Sequence, residues 1–332
     1  MKILYALQCT GNGHISRAYE LLPLLKKYAE VDLLASGHHS QIQLPQEPQF
    51  RFRGISLLYN DKGGLSYAKT IFQNDLFRAL KDIKSVPVED YDMVLNDFEP
   101  ISAWACKLRN YREIKAVSHQ AAILFPGTPK PERKNRLGGI VLKYYAPAAH
   151  KTGFHFGKYN PDIFLPVIRS QIRSLNPVNK GFYMTYLPSF SDEFLIKKLN
   201  ETQVEWKIFS ANSNGITYKN GNVKIYPVDR KKFLKLFENC EGILCNAGFE
   251  TPAEALFLKK KLFVIPIKNQ YEQECNCVAL EKMGIPASRE FNIIKIREWI
   301  ASDERVNVEY PDESDEIIRR ILGIAEEIPG SV

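Results

Sequence analysis

Short apolar runs alternate with amphipathic stretches over the first third of the chain. Residues 2–7, 31–35 and 50–58 have the β-branched and apolar character of strands; a helical period fills 16–28, and a short helix precedes the third strand. A helix over 65–83, a strand at 92–96, a helix over 101–108 and a strand at 114–118 continue the rhythm. Parallel strands need crossovers that cover both faces of their sheet, so the pattern predicts a doubly wound α/β domain. Pro161, Pro166 and Pro177 interrupt it within 159–179. It restarts with strands at 182–187, 205–209, 223–226, 242–245 and 262–266, and helices at 192–200, 230–238, 251–258, 272–283 and 293–301. Two Rossmann-like domains are expected, 1–165 and 166–332, with the linker near 162–178. A last helix, 313–327, is free to pack back on the first domain. Two such domains face each other across a central cleft at the carboxyl ends of their strands, where open α/β sheets bind ligands.

Composition adds limits. The 332 residues include 45 Lys and Arg against 38 Asp and Glu, a net charge of +7, with 45% hydrophobic positions. That is an ordinary globular balance and excludes disordered and fibrous classes. No apolar run approaches the ~18–20 residues of a membrane span, and the first strand is too short for a signal-peptide core, so a cytoplasmic setting is expected. Six cysteines show no disulfide or zinc spacing, and Asp90-Tyr91-Asp92 precedes its strand, away from the cleft; no metal site is predicted. The charge itself is concentrated. Within 128–151, Lys130, Arg133, Lys134, Arg136, Lys143 and Lys151 stand against Glu132 alone, interleaved with Leu137, Ile140, Val141, Tyr144 and Tyr145 at helical spacing. Such a segment suits either an anionic membrane surface or a core-facing helix with a solvated outer side, one that Gly138 and Gly139 weaken. Nucleic acid is not expected, since no binding motif appears.

Candidate chemistry gathers at strand ends. Gly11-Asn12-Gly13-His14 follows the first strand; two glycines permit positive φ and close approach, and the turn presents His14, as a cap or as a base. Asp97 ends the strand at 92–96 on the same edge and is placed to orient His14 or an acceptor hydroxyl; with Glu99 and Pro100 the same motif reads as a helix start. Ser118-His119-Gln120 ends the next strand, where His119 either lines an acceptor pocket or is a structural hydrogen-bonder. In the second domain, Asn246-Ala247-Gly248-Phe249-Glu250-Thr251-Pro252-Ala253-Glu254 is a strand, a glycine turn and a helix start, which fits a Thr251/Glu254 capping box or a diphosphate site. Further on, Gln270, Glu272, Gln273 and Asn276 form either a solvated polar turn or a hydroxyl-binding set.

Taken together, the Gly-Asn-Gly-His turn, the 246–255 segment, Pro266 and Gln270-Tyr271-Glu272-Gln273 with Asn276 resemble the GT-B glycosyltransferases related to the peptidoglycan N-acetylglucosaminyltransferase and the UDP-glucuronosyltransferases. The resemblance spans both domains. It implies a metal-independent, inverting, hexosyltransferase-type enzyme that needs no cofactor and takes a nucleotide-diphosphate sugar, UDP being the expected nucleotide. It also implies a diphosphate at the 248–251 turn, ribose at Glu254, donor sugar at Glu272, Gln273 and Asn276, and acceptor near His14, with Gly11, Asn12, Gly13, Glu99 and His119 on the acceptor side. One departure is that Tyr186-Leu187-Pro188-Ser189 stands where family members often carry a glycine-rich loop. The expected function is transfer to an acceptor hydroxyl, with His14 as base and Asp97 behind it. The basic segment makes a lipid-linked acceptor and a peripheral position on the inner membrane face the natural extension. A UDP-sugar 2-epimerase of the same fold, or a non-catalytic nucleotide-sugar-binding subunit, are the alternatives.

Overall fold

The computed structural model describes residues 1–37, 43–55, 70, 74–133, 135–210, 212–213 and 215–324. The end of the expected strand 50–58, the start of the expected helix 65–83, the tail of the helix 313–327 and Lys134 lie outside the described residues. Strands β1 (Lys2–Gln8), β2 (Glu30–Ser36), β3 (Phe50–Phe52), β4 (Met93–Asp97), β5 (Ile114–Val117), β6 (His150–Phe154) and β7 (Ile163–Phe164) form one parallel sheet, ordered β3-β2-β1-β4-β5-β6-β7. Helices α1 (Asn12–Tyr28), α2 (Leu76–Ser85), α3 (Pro100–Leu108), α4 (His119–Ile123) and α5 (Arg136–Tyr144) belong to this half. After the short α6 (Ser170–Arg173), strands β8 (Phe182–Tyr186), β9 (Glu205–Ser210), β10 (Tyr218–Asn220), β11 (Val223–Pro227), β12 (Gly242–Asn246) and β13 (Lys261–Ile265) build a second sheet, ordered β10-β11-β9-β8-β12-β13. Only the edge strand β10 is antiparallel. With it stand α7 (Asp192–Leu199), α8 (Arg230–Asn239), α9 (Glu250–Phe257), α10 (Tyr271–Lys282) and α11 (Ile293–Ala301).

The apolar runs of the central strands follow from burial on both faces. Ile3, Tyr5 and Leu7 of β1 enter one cluster and Leu4 and Ala6 another. The first of these clusters continues through Phe156 to Phe249 and Ala253, joining the two halves in one apolar layer. The last helix, α12 (Ser314–Leu322), packs on α1 of the first half. Tyr28 donates to Asp315 at 2.6 Å, and Arg320 to the Pro161 carbonyl at 2.7 Å. Two segments of chain therefore pass between the halves, and Arg173 ties them together by donating to the carbonyls of Tyr310 (3.0 Å) and Pro311 (2.9 Å).

Gly138 has a different part from the helix weakening expected of it. A Cβ there would lie 2.3 Å from Tyr271 Cβ, so its absence is what lets α5 of the first half approach α10 of the second.

Candidate functional site

Both sheets reverse strand order next to their first strand, at β1/β4 and at β8/β12, and the carboxyl ends of these strands face each other across a cleft of ≈310 Å³. Four helices open onto it, and three of them have no side-chain cap at their start: Gly11 precedes α1, Phe249 precedes α9 and Gln270 precedes α10. The fourth, α4, is capped by Ser118; elsewhere Asp75, Glu99, Asn135, Ser191, Asp229 and Asn292 each cap a helix, while α6 and α12 are uncapped. Uncapped N–H groups and the positive ends of helix dipoles make the cleft a place for an anion. The expected Thr251/Glu254 capping box does not form. Helix α9 begins earlier, at Glu250, and Glu254 is taken by Arg169.

On the first-domain wall, Gly11 is extended (φ −145°) and Gly13 is helical, so neither uses the positive φ expected of it. Gly13 serves by lacking a Cβ, which would stand 3.2 Å from Glu250 Cγ. His14 lines the cleft, and its Nδ1 lies 2.8 Å from Asp97 Oδ1. Burial pushes the Asp97 carboxyl upward, but Arg17 and His14 outweigh it and hold it below the usual range. An ionised carboxylate only accepts, so His14 Nδ1 carries the hydrogen and Nε2 is the basic nitrogen. Asp97 is fully buried, so it orients His14 and does not reach an acceptor hydroxyl.

One first-domain expectation is corrected, and a second residue has its ring atoms engaged. Glu99 is fully buried; it accepts from the N–H groups of Ile101 (2.7 Å) and Ser102 (2.6 Å) and from the Ser36 hydroxyl (2.6 Å), so it caps α3 and does not face an acceptor. His119 stacks on Phe249 at 4.1 Å with both nitrogens engaged, Nδ1 at the Phe154 carbonyl (2.7 Å) and Nε2 at Asn276 Oδ1 (2.5 Å). It lines the cleft, as expected, and also joins the two domains. Burial pushes its pKa down.

On the second-domain wall, Asn246, Gly248, Phe249, Glu250, Thr251, Gln270, Glu272 and Gln273 all line the cleft. A Cβ on Gly248 would meet nothing within 4 Å, so the glycine leaves its backbone open to an approaching ligand. Asn246 holds the turn after β8, donating to Ser189 Oγ (3.0 Å) and to the Ile265 carbonyl (2.9 Å). Glu272 accepts from Gln120 at 3.0 Å and Gln273 from the Ile267 N–H at 2.8 Å; Gln270 Oε1 makes no hydrogen bond. Asn276, expected at the donor sugar, is instead fully buried between His119 and the Ala247 carbonyl. Glu254 lies outside the main cleft, in an adjoining cavity of ≈180 Å³ that Tyr186, Phe209, Val228 and Phe233 also line. There Arg169 holds both its oxygens, Nε at 2.5 Å and Nη2 at 2.7 Å.

Arg17 belongs to no sequence motif, but it stands three residues beyond His14 and so on the same helical face. Its buried guanidinium lies 3.3 Å from Asp97 Oδ2 and 3.3 Å from Glu250 Oε1. Burial, opposed by Arg17, pushes the Glu250 carboxyl up to about 7. A raised acid pKa contributes stability that is present below the unfolded value and lost as pH rises through the folded one. The difference from 4.5 to about 7 is on the order of 3 kcal/mol. Glu250→Gln is therefore expected to flatten the decline in thermal stability between pH 5 and 8 relative to wild type. Parallel melting curves for the two proteins over that range would remove the assignment. Among the described residues, no group of three or more His, Cys, Asp or Glu side chains is placed to hold a metal ion.

The family described as glycosyl transferase family 1 matches residues 1–302. No curated protein matches the chain. Among solved structures, the glycosyltransferase SnogD from Streptomyces nogalater aligns with TM-score 0.53 and 14% identity over 98% of this chain and 94% of its own. MurG of Acinetobacter baumannii aligns with TM-score 0.52 and 14% identity over 98% and 95%. UGT89C1 of Arabidopsis thaliana, complexed with UDP-L-rhamnose, gives 0.58 and 12% over 96% and 92%. At these identities the likeness is one of fold, the two facing α/β domains of GT-B architecture.

Proposed function

The chain belongs to glycosyl transferase family 1, and from that premise we propose that this glycosyltransferase moves a sugar from a nucleotide-diphosphate sugar, a UDP-sugar first among them, to an acceptor hydroxyl with inversion. The observation that carries the reading is His14, held by Asp97, facing the uncapped start of α9 across one cleft. Nε2 of His14 takes the proton of the acceptor hydroxyl as its oxygen attacks the anomeric carbon, and the bond from that carbon to the diphosphate oxygen breaks. The backbone at 248–251 receives the departing diphosphate and supplies the positive potential that a metal ion supplies in other transferases. Gln270, Glu272 and Gln273 face the sugar hydroxyls. The adjoining cavity takes the nucleoside, with the ribose at Glu254, whose oxygens keep lone pairs beyond those used by Arg169.

For the acceptor we propose a lipid-linked or membrane-surface hydroxyl, on a cytoplasmic face. Helix α5 packs inward through Gly138 and Leu142 and leaves Leu137 (61%), Ile140 (53%) and Tyr144 (45%) exposed. Lys130, Arg133, Arg136, Lys143 and Lys151 are exposed along the same segment. No helix among the described residues is long and apolar enough to cross a membrane, so the association is peripheral, with each basic side chain contributing about 1 kcal/mol near an anionic surface.

Thermal-shift screening of UDP-, TDP-, GDP- and ADP-sugars is expected to find one donor that stabilises the protein, by about 2.7 kcal/mol at 100 times its dissociation constant. Turnover of that donor is expected to rise on adding phosphatidylglycerol vesicles carrying a hydroxyl acceptor, with the new anomeric centre inverted by proton NMR. Retention, or conversion of the donor without any acceptor, would defeat the reading.

A further inference from the structure

Among the described residues that line the cleft, Arg17 is the sole Lys or Arg. It is 4% exposed, and its Nε and Nη1 make no hydrogen bond. The two carboxylate oxygens nearest it, Asp97 Oδ2 and Glu250 Oε1, are likewise buried without a hydrogen bond, as is the Tyr5 hydroxyl, which shares the field of the same charges. Such a group is paired in charge but poorly satisfied in geometry. Buried donors in that condition carry the desolvation penalty without its compensation, and they gain when a better-placed acceptor arrives.

Glu250 is the first residue of α9, so the guanidinium that touches it sits beside the uncapped start of that helix. The opposite side of the diphosphate position is poor in donors. Pro188, in the turn after β8, has no N–H to give, and Ser189 is engaged with Asn246.

We infer that Arg17, reaching across from the first domain, is the cation that meets the donor's diphosphate, and that Glu250 holds it in place until the donor enters. This rests on the nucleotide-sugar reading of the cleft. A doubly charged diphosphate with oxygens directed at the guanidinium outcompetes one partly buried carboxylate, because planar, bidentate pairing suits arginine and phosphate. Asp97 then has two tasks: one oxygen orients His14 and the other neighbours Arg17, so the base and the leaving-group cation share one buried anchor. During transfer, as the bond from the anomeric carbon to the diphosphate breaks, negative charge grows on the phosphate oxygens next to Arg17.

The test compares a nucleoside diphosphate with its nucleoside. Dissociation constants of UDP and uridine are measured by calorimetry on wild type, Arg17→Gln and Glu250→Gln, with TDP, GDP and ADP pairs as substitutes where wild type prefers them. Arg17→Gln is expected to weaken UDP by about 10- to 100-fold and leave uridine within about twofold. Glu250→Gln, which keeps the arginine and removes its competitor, is expected to tighten UDP about threefold or more with uridine unchanged. A purely structural arginine would shift both ligands together or neither, and that result overturns the inference. Should Arg17→Gln not fold, Glu250→Gln decides: no selective gain for UDP counts against the assignment. Failure of wild type to bind any of the four diphosphates would instead strike the donor reading.

Discussion

Replacing His14 by Ala is expected to lower kcat for sugar transfer by about 10²- to 10⁴-fold while leaving donor affinity within about twofold, because a general base acts on the acceptor proton and not on the donor. Donor affinity by calorimetry and kcat at saturating donor and acceptor separate the two effects. The geometry makes the loss specific to Nε2, since Nδ1 is occupied by Asp97 at 2.8 Å. Asp97→Asn tests the same assignment from behind. An amide can present its NH₂ group to Nδ1 and so favour the tautomer that leaves no lone pair on Nε2. An acceptor with an acidic hydroxyl, such as a phenol, needs the base less and is expected to recover part of the rate in both variants. Transfer by His14→Ala at nearly the wild-type rate would show that another group takes the proton.

Arg169→Ala is expected to destabilise the protein by about 3–5 kcal/mol, since it strands a buried carboxylate. The side chain of Glu254 is only 3% exposed and both its oxygens are held by the one guanidinium, its sole ion-pair partner among the described residues. The double variant Arg169→Met with Glu254→Leu is expected to regain most of the loss, because two apolar side chains of similar volume remove the charge and the desolvation penalty together. Urea unfolding of Arg169→Met, Glu254→Leu and the double completes the cycle; additive losses would mean the pair is not coupled. The double is further expected to bind nucleotide weakly while folded, which separates the stability role of Glu254 from its place beside the ribose.

What was legible in the sequence was local. The apolar runs of β1 and β12, each buried on both faces, and the glycine turns that follow them are features of neighbouring residues, and they place His14 and the 246–251 segment at the cleft. Glu99 before Pro100 carried a helix-start signature that proved to be its whole role. What was not legible is which polar side chains consume one another. Glu254 finds Arg169 at 85 positions' separation, Glu272 finds Gln120 at 152 and Asn276 finds His119 at 157. A carboxylate or amide in isolation looks equally ready for a ligand or for a neighbour, and only the tertiary fold decides between them. Pro252 misled in a different way: proline is tolerated anywhere in a first helical turn, so it does not mark whether the helix began at Glu250 or later.

Arg173 laces the outgoing and returning segments to each other, beside the place where α12 docks on α1, so both crossings of the chain lie together on one side of the cleft. A rotation of the second half against the first would break a definable set of contacts. It would part Arg17 from Glu250, His119 from Asn276 and Gln120 from Glu272 as one set, while His14 and Asp97, both on the near side, travel together with their hydrogen bond intact. A cleft opened in that way would keep the His14–Asp97 pair assembled.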